Sequence, residues 1–265
     1  MTFDLGELHP RRFFLETWRD LDREYLSRPP GSDTSRFEWK VAVVLVVAAV
    51  SLTLMEYWGD RTTFLDLVPD RRIPYWDLRS FAYWSGWRFL GYGVIPGVTI
   101  ALLPGERLAD YGLSFKGFFS HVWIYVLLFL CVLPLIVLVS FTEEFRTYYP
   151  FYEDAGRSAF DFWTWEALYA LQFLSLEFFF RGYLLHALKR TMGSYAIFVM
   201  VVPYNMIHYG KPFLEANAAI IAGIVLGTLA LKTRSIWCGF LIHVSVAISM
   251  DLAALIQRRE ILWTP

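Results

Sequence analysis

The stretch Leu174-Ser-Leu-Glu-Phe-Phe-Phe-Arg-Gly-Tyr-Leu-Leu185 decides how the chain is read. Glu177 and Arg181 are its two charged residues, and phenylalanines fill the three positions between them. Four residues apart, they share one face of a helix. A charged side chain at mid-bilayer costs about 2.5–3.5 kcal/mol on insertion scales, so such residues pair, face a water cavity or work. Alone, the pair reads as an ion pair that stabilises a bundle. The functional reading is a carboxylate in a dry pocket, its ionisation set by burial and by Arg181, as a general base for water requires.

The surrounding chain is fatty. Of 265 residues, 56% are hydrophobic and only 18% are charged, against roughly 45–50% and about 25% in an ordinary soluble domain. That excludes a disordered chain, a nucleic-acid-binding tail protein and a disulfide scaffold. Cys131 and Cys238 both fall in apolar runs and read as small buried residues. The expected fold is all-α, a polytopic transmembrane bundle of seven to eight spans, each about 20 residues.

Span one is Val41 to Trp58, and span two runs from Phe81 to Leu103, interrupted by Arg88, Gly91, Gly93, Pro96 and Gly97, which predict a kink or re-entrant turn. Span three is His121 to Phe141 and span four Phe162 to Leu188. Span five, Tyr195 to His208, is short. Span six is Glu215 to Leu231 and span seven Ile236 to Ile256. An eighth arises if span two is split or if 142–160 dips into the bilayer. Gly223 and Gly227 in span six form a GxxxG, which lets helix backbones approach closely. Residues 1–40 form a soluble N-terminal segment, with Pro29-Pro30-Gly31 near its end and no apolar h-region of a signal peptide. Within it, Phe13 to Tyr25 reads as an amphipathic helix on the membrane surface or as a plain solvated helix. Residues 41–104 hold the first spans. Counting alternate sides, Lys and Arg total 13 on the N-terminal side and 9 on the other, which leans towards a cytoplasmic N-terminus.

Further ionisable residues lie in the apolar C-terminal half. His208 ends Pro203-Tyr-Asn-Met-Ile-His208, and Tyr204 lies one turn before it. His243 is in span seven, with Asp251 two turns on. Glu215 opens span six just after Lys211-Pro212. A lone histidine on an apolar face is usually structural. Two histidines and a carboxylate on three helices point to one pocket. Imidazole is also the usual metal ligand, and two His with one Glu is a catalytic zinc set. HExxH is absent.

Taken together, these residues resemble the CPBP family of CAAX prenyl endopeptidases and bacterial bacteriocin-processing or immunity membrane proteins. The family motif EExxxR is matched by Leu176-Glu177-Phe178-Phe179-Phe180-Arg181, FxxxH by Tyr204 to His208, and HxxxN or a small-residue variant by His243 to Ala247. Asp110-Tyr111-Gly112-Leu113 resembles a further family feature. The likeness covers roughly 105–255 and implies a membrane protease domain over 105–258. Leu176 stands where the family's first Glu would be, and Ala247 where its Asn would help hold an oxyanion. Glu215 and Asn205 are candidates to meet that deficit. Glu215 also reads as an ordinary carboxylate at a helix N-terminus, and Asn205 as a cap after Pro203. Glu143-Glu144 has no Arg at the motif spacing from Glu144.

The resemblance implies an endopeptidase with Glu177, Arg181 and His208 on the water, and His243 on the tetrahedral oxyanion. The favoured version has no cofactor. A divalent metal such as zinc on His208, His243 and Glu177 or Glu215 is its variant. The expected partners are a membrane-associated peptide or protein substrate and the lipid bilayer, with no nucleic acid. The rival is a non-catalytic membrane scaffold or binding protein that keeps the fold, supported by Leu176 and Ala247. A transporter with a proton relay would predict internal repeats, and none is visible. Arg (19) far outnumbers Lys (5), as in high-GC bacterial genomes, so the expected location is a bacterial cytoplasmic membrane.

Overall fold

The computed structural model describes residues 6, 9–26, 38–115 and 118–261. Pro29-Pro30-Gly31 and Lys116 lie outside them. The described elements are helical throughout, with no strand. In chain order they are α1 (Thr17–Leu26), α2 (Trp39–Trp58), α3 (Arg61–Leu67), α4 (Trp76–Phe89), α5 (Ile95–Leu102), α6 (Phe118–Val139), α7 (Glu143–Tyr148), α8 (Ala159–Glu177), α9 (Leu185–Met192), α10 (Tyr195–Met206), α11 (Phe213–Thr233) and α12 (Trp237–Arg258). The described residues form an all-α helical membrane bundle.

Four helices, α2, α6, α11 and α12, are long and apolar enough to cross a membrane. At about 1.5 Å per residue, the 20 residues of α2 cover the ~30 Å of a hydrocarbon core. Phe119, Leu138, Val202 and Ile221 are exposed. Such side chains have no penalty against lipid tails. Span two is α4 and α5 joined by a π-helical turn, Leu90–Val94, so the expected interruption is a change of helix pitch rather than a chain reversal. In the 142–160 segment, α7 is capped by Thr142, whose hydroxyl accepts from the Phe145 amide at 3.3 Å. Glu143 and Glu144 are therefore first-turn acids that complement the helix dipole.

The chain divides into two compact units. The first comprises residues 1–50, 95–123 and 177–239. Here α10 packs on α11 through the GxxxG glycines. A Cβ on Gly223 would meet Val201 Cγ2 at 2.9 Å, and one on Gly227 would meet Met200 Cε at 3.0 Å. The segment before α2 docks on protein rather than lying fully solvated. Phe13, Thr17 and Leu21, one per turn, are buried. Trp18 donates its indole N–H to Thr228 Oγ1 at 3.0 Å and packs edge-on against Phe198. Asp22 accepts from the Ser194 amide at 2.7 Å, just before α10.

The second unit comprises 51–94, 124–176 and 240–265. Its core is aromatic, built by Phe81, Tyr152, Phe162, Trp165 and Tyr169 with Ala247 and Leu255. Gly91 explains part of the glycine content of span two. A Cβ there would run into the Met55 side chain, and the Gly91 carbonyl accepts from Ser51. Two buried carboxyl groups, Glu166 and Asp251, lie against each other, and Trp165 Nε1 donates to Asp251 Oδ2 at 2.6 Å.

Candidate functional site

Glu177 closes α8, and Arg181 lies in a π-helical turn, Phe178–Leu184, which is buried throughout. Such turns insert an extra residue per turn and recur at functional sites. The two side chains pair, Arg181 Nη1 to Glu177 Oε1 at 3.2 Å, and both are essentially inaccessible to solvent. The Arg181 guanidinium stacks 4.0 Å over the Tyr204 ring. An arginine held between a carboxylate and an aromatic face is fixed in orientation as well as charge.

Tyr204 carries the arrangement on to His208. Their rings meet edge-on at 4.8 Å. His208 Nδ1 lies 2.8 Å from the Tyr204 carbonyl oxygen. A carbonyl only accepts, so Nδ1 carries the proton. In the neutral ring Nε2 then keeps the lone pair, available to a proton or another acceptor of electrons. His208 is half-buried. The fold thus strings Glu177, Arg181, Tyr204 and His208 together within the first unit.

Glu215 is in the first turn of α11 and pairs with Lys211 at 2.6 Å. Asn205 is helical, inside α10 with Pro203, and its buried Oδ1 accepts no hydrogen bond among the described residues. His243 belongs to the second unit, on α12, stacked on Phe173 with 5.3 Å between ring centres. Leu176 and Ala247 are buried, Ala247 within the aromatic core. Among the described residues, no three His, Cys, Asp or Glu side chains are grouped as a metal would need.

Sequence reasoning passed over three residues that shape this region. Gly239 lies against the Glu177 carboxylate, and a Cβ there would meet Oε2 at 2.5 Å. Gly182, just after Arg181, backs onto the Tyr111 carbonyl, 2.7 Å from where its Cβ would be. His186 Nδ1 donates to the Arg181 carbonyl at 2.7 Å. The loop Asp110 to Leu113 is tied in here. Gly112 has a φ of +82° and accepts from the Ile236 amide at 3.0 Å. Trp237 donates to the Leu113 carbonyl at 3.0 Å. The only outward signal for Gly239 and Gly182 was a glycine inside an apolar helix.

Residues 158–249 match the family described as Rce1-like, type II CAAX prenyl endopeptidase. This segment is similar to the CAAX-protease family. The matched residues include Glu177, Arg181, Tyr204, His208 and His243. No curated protein and no solved structure is matched. That family is one of membrane peptidases, and the likeness agrees with the four helices long and apolar enough to cross a membrane.

Proposed function

We propose that the protein is an intramembrane endopeptidase that hydrolyses a peptide bond near a membrane face. The observation that carries this reading is the buried Glu177–Arg181 pair, stacked on Tyr204 and continued to His208. In this reading Glu177 takes a proton from water, and His208 Nε2 holds that water by accepting its second O–H. The hydroxide attacks the peptide carbonyl. His243 stabilises the oxyanion, the role the family resemblance implies. Glu177 then delivers its proton to the leaving amine nitrogen as the C–N bond breaks. Arg181 is a positioning residue. Glu215 and Asn205 are secondary candidates, for base and oxyanion donor respectively. The favoured version runs without metal, and zinc addition or chelation should leave its rate unchanged. The substrate would be the tail of a membrane-anchored protein, and the location a bacterial cytoplasmic membrane with the N-terminus inside.

The second reading is a membrane scaffold that retains the fold without cleaving. Leu176 and Ala247 favour it, because both motif positions are occupied by buried apolar side chains. The two readings separate in one experiment. Purified full-length protein is incubated with membrane-tail peptides and products are read by mass spectrometry. Cleavage should disappear in Glu177→Gln, His208→Ala and His243→Ala. Each is expected to lower the rate by about 10²–10⁴-fold, the usual weight of a general acid–base or oxyanion group. Cleavage that survives Glu177→Gln but not Glu215→Gln would move the base to Glu215. Wild-type rates in all three variants would sink the catalytic reading.

A further inference from the structure

A second feature of the first unit takes no part in the chemistry above. It is a cavity of about 1290 Å³. Helix α1 lines it with Leu21 and Tyr25, the end of α9 with Lys189 and Arg190, and the end of α11 with Lys232 and Arg234. Three ion pairs place the cavity at one end of the unit's helices. Lys40 at the start of α2 and Arg190 at the end of α9 both bind Glu106, at 3.1 and 2.9 Å, and Arg234 after α11 binds Glu24 of α1.

Charges in the cavity are unevenly matched. Among its acids, Glu16 is paired with Arg12, Asp20 with Arg23 and Glu24 with Arg234, while Asp110 also lines the wall and makes no ion pair among the described residues. Lys189 is different. It is buried, its ammonium sits 4.7 Å over the Tyr25 ring, and it makes no ion pair among the described residues. Arg234 and Arg190 repel it, and Glu24 and Asp110 attract it more weakly. A lysine in the last turn of a helix is commonplace, because it complements the dipole. Such a lysine is normally free in water. A buried ammonium without an ion pair, repelled by two guanidinium groups at the wall of a cavity, is one that a bound anion would stabilise.

We propose that this cavity binds a phosphate group, as carried by an anionic phospholipid, with Lys189 as its principal ligand. Phosphate suits the donors present, a point-charge ammonium with guanidinium forks nearby. The volume exceeds the roughly 300–1,000 Å³ of a drug-sized pocket, room for a glycerophosphate headgroup. Helix α1 supplies an amphipathic wall of the kind that lies in a membrane interface. Anionic lipid is attracted to basic clusters at that level.

The full-length protein in lipid nanodiscs provides the test, with thermal unfolding followed by tryptophan fluorescence. Phosphatidylglycerol is titrated into phosphatidylcholine discs, and inorganic phosphate is titrated separately. Phosphatidylglycerol is expected to raise the melting midpoint. Lys189→Gln should need about tenfold more of it for the same shift, the loss of one hydrogen bond to a charged group. Arg72→Gln, fully exposed in the second unit, should respond like wild type. If Lys189→Gln does not yield folded protein, Lys232→Gln is read by the same criterion. A shift with inorganic phosphate alone assigns the site to free phosphate. No shift with either ligand overturns the proposal, as does an equal loss in Arg72→Gln, which would make the effect general surface charge.

Discussion

Gly239 shows how little space the Glu177 carboxylate has. A methyl group there would approach Oε2 to 2.5 Å, so the carboxylate, which pairs with Arg181 through Oε1, would have to shift. Gly239→Ala should therefore cost about 1–3 kcal/mol, the usual penalty for overpacking. It should also lower cleavage more than tenfold, since a displaced catalytic group loses its alignment. Melting midpoint and peptide turnover, measured side by side, check both. A variant as stable and as active as wild type would show that the carboxylate is not held by this glycine. The motif residues themselves were legible from spacing. Glu177 and Arg181 stand four apart in a run without other charge, and helix geometry pairs them. What their spacing did not contain was the partner on the far side of the guanidinium. Tyr204 lies 23 residues further along, and only packing puts its ring under Arg181. His186 was missed for a similar reason, since its anchor is a backbone carbonyl, which no side-chain pattern marks.

At the scale of elements, glycines separate two kinds of helix position. Gly182 sits in the π-helical turn, with its missing Cβ aimed at the Tyr111 carbonyl 2.7 Å away. Gly86 in α4 has nothing within 4 Å. Gly182→Ala should destabilise by about 1–3 kcal/mol. Gly86→Ala should be neutral or stabilise by up to about 1 kcal/mol through lower unfolded-chain entropy. Thermal melts of the two variants in one detergent test the contrast, and equal behaviour would refute the assigned contact. Span two shows the limit of reading elements from sequence. Its glycines and proline predicted a break, and the structure meets them with a π-helical turn and a close approach to Met55. Glycine signals backbone freedom or backbone proximity, and the chain alone does not say which. The GxxxG of α11 was the reverse case, because spacing at one helical turn leaves close packing as its main use.

At the scale of the molecule, Glu106 ties three parts of the first unit together. Its side chain is 3% exposed and binds Lys40, Arg190 and the Tyr111 hydroxyl. Burial would raise its pKa, but the bonds from Lys40 and Tyr111 and the charge of Arg190 prevail and hold it below the ordinary carboxylate value. Its stabilising contribution is thus complete above the ordinary value and is lost as pH falls through the lowered one. Glu106→Gln should lower stability at pH 7 by about 1 kcal/mol, a modest figure because its cations are partly exposed. The difference from wild type should close as acid protonates Glu106, which melts recorded from pH 7 down to 3 would reveal. The sequence by itself determined the all-α membrane class and the one-turn spacing of Glu177 and Arg181, because hydropathy and the 3.6-residue period act over one or two turns. Tertiary structure alone decided that Tyr204 completes the Glu177–Arg181 pair, that Gly239 walls it in, and that Lys189 faces a cavity rather than water. Those facts depend on contacts between residues tens of positions apart, and no local pattern in the chain carries them.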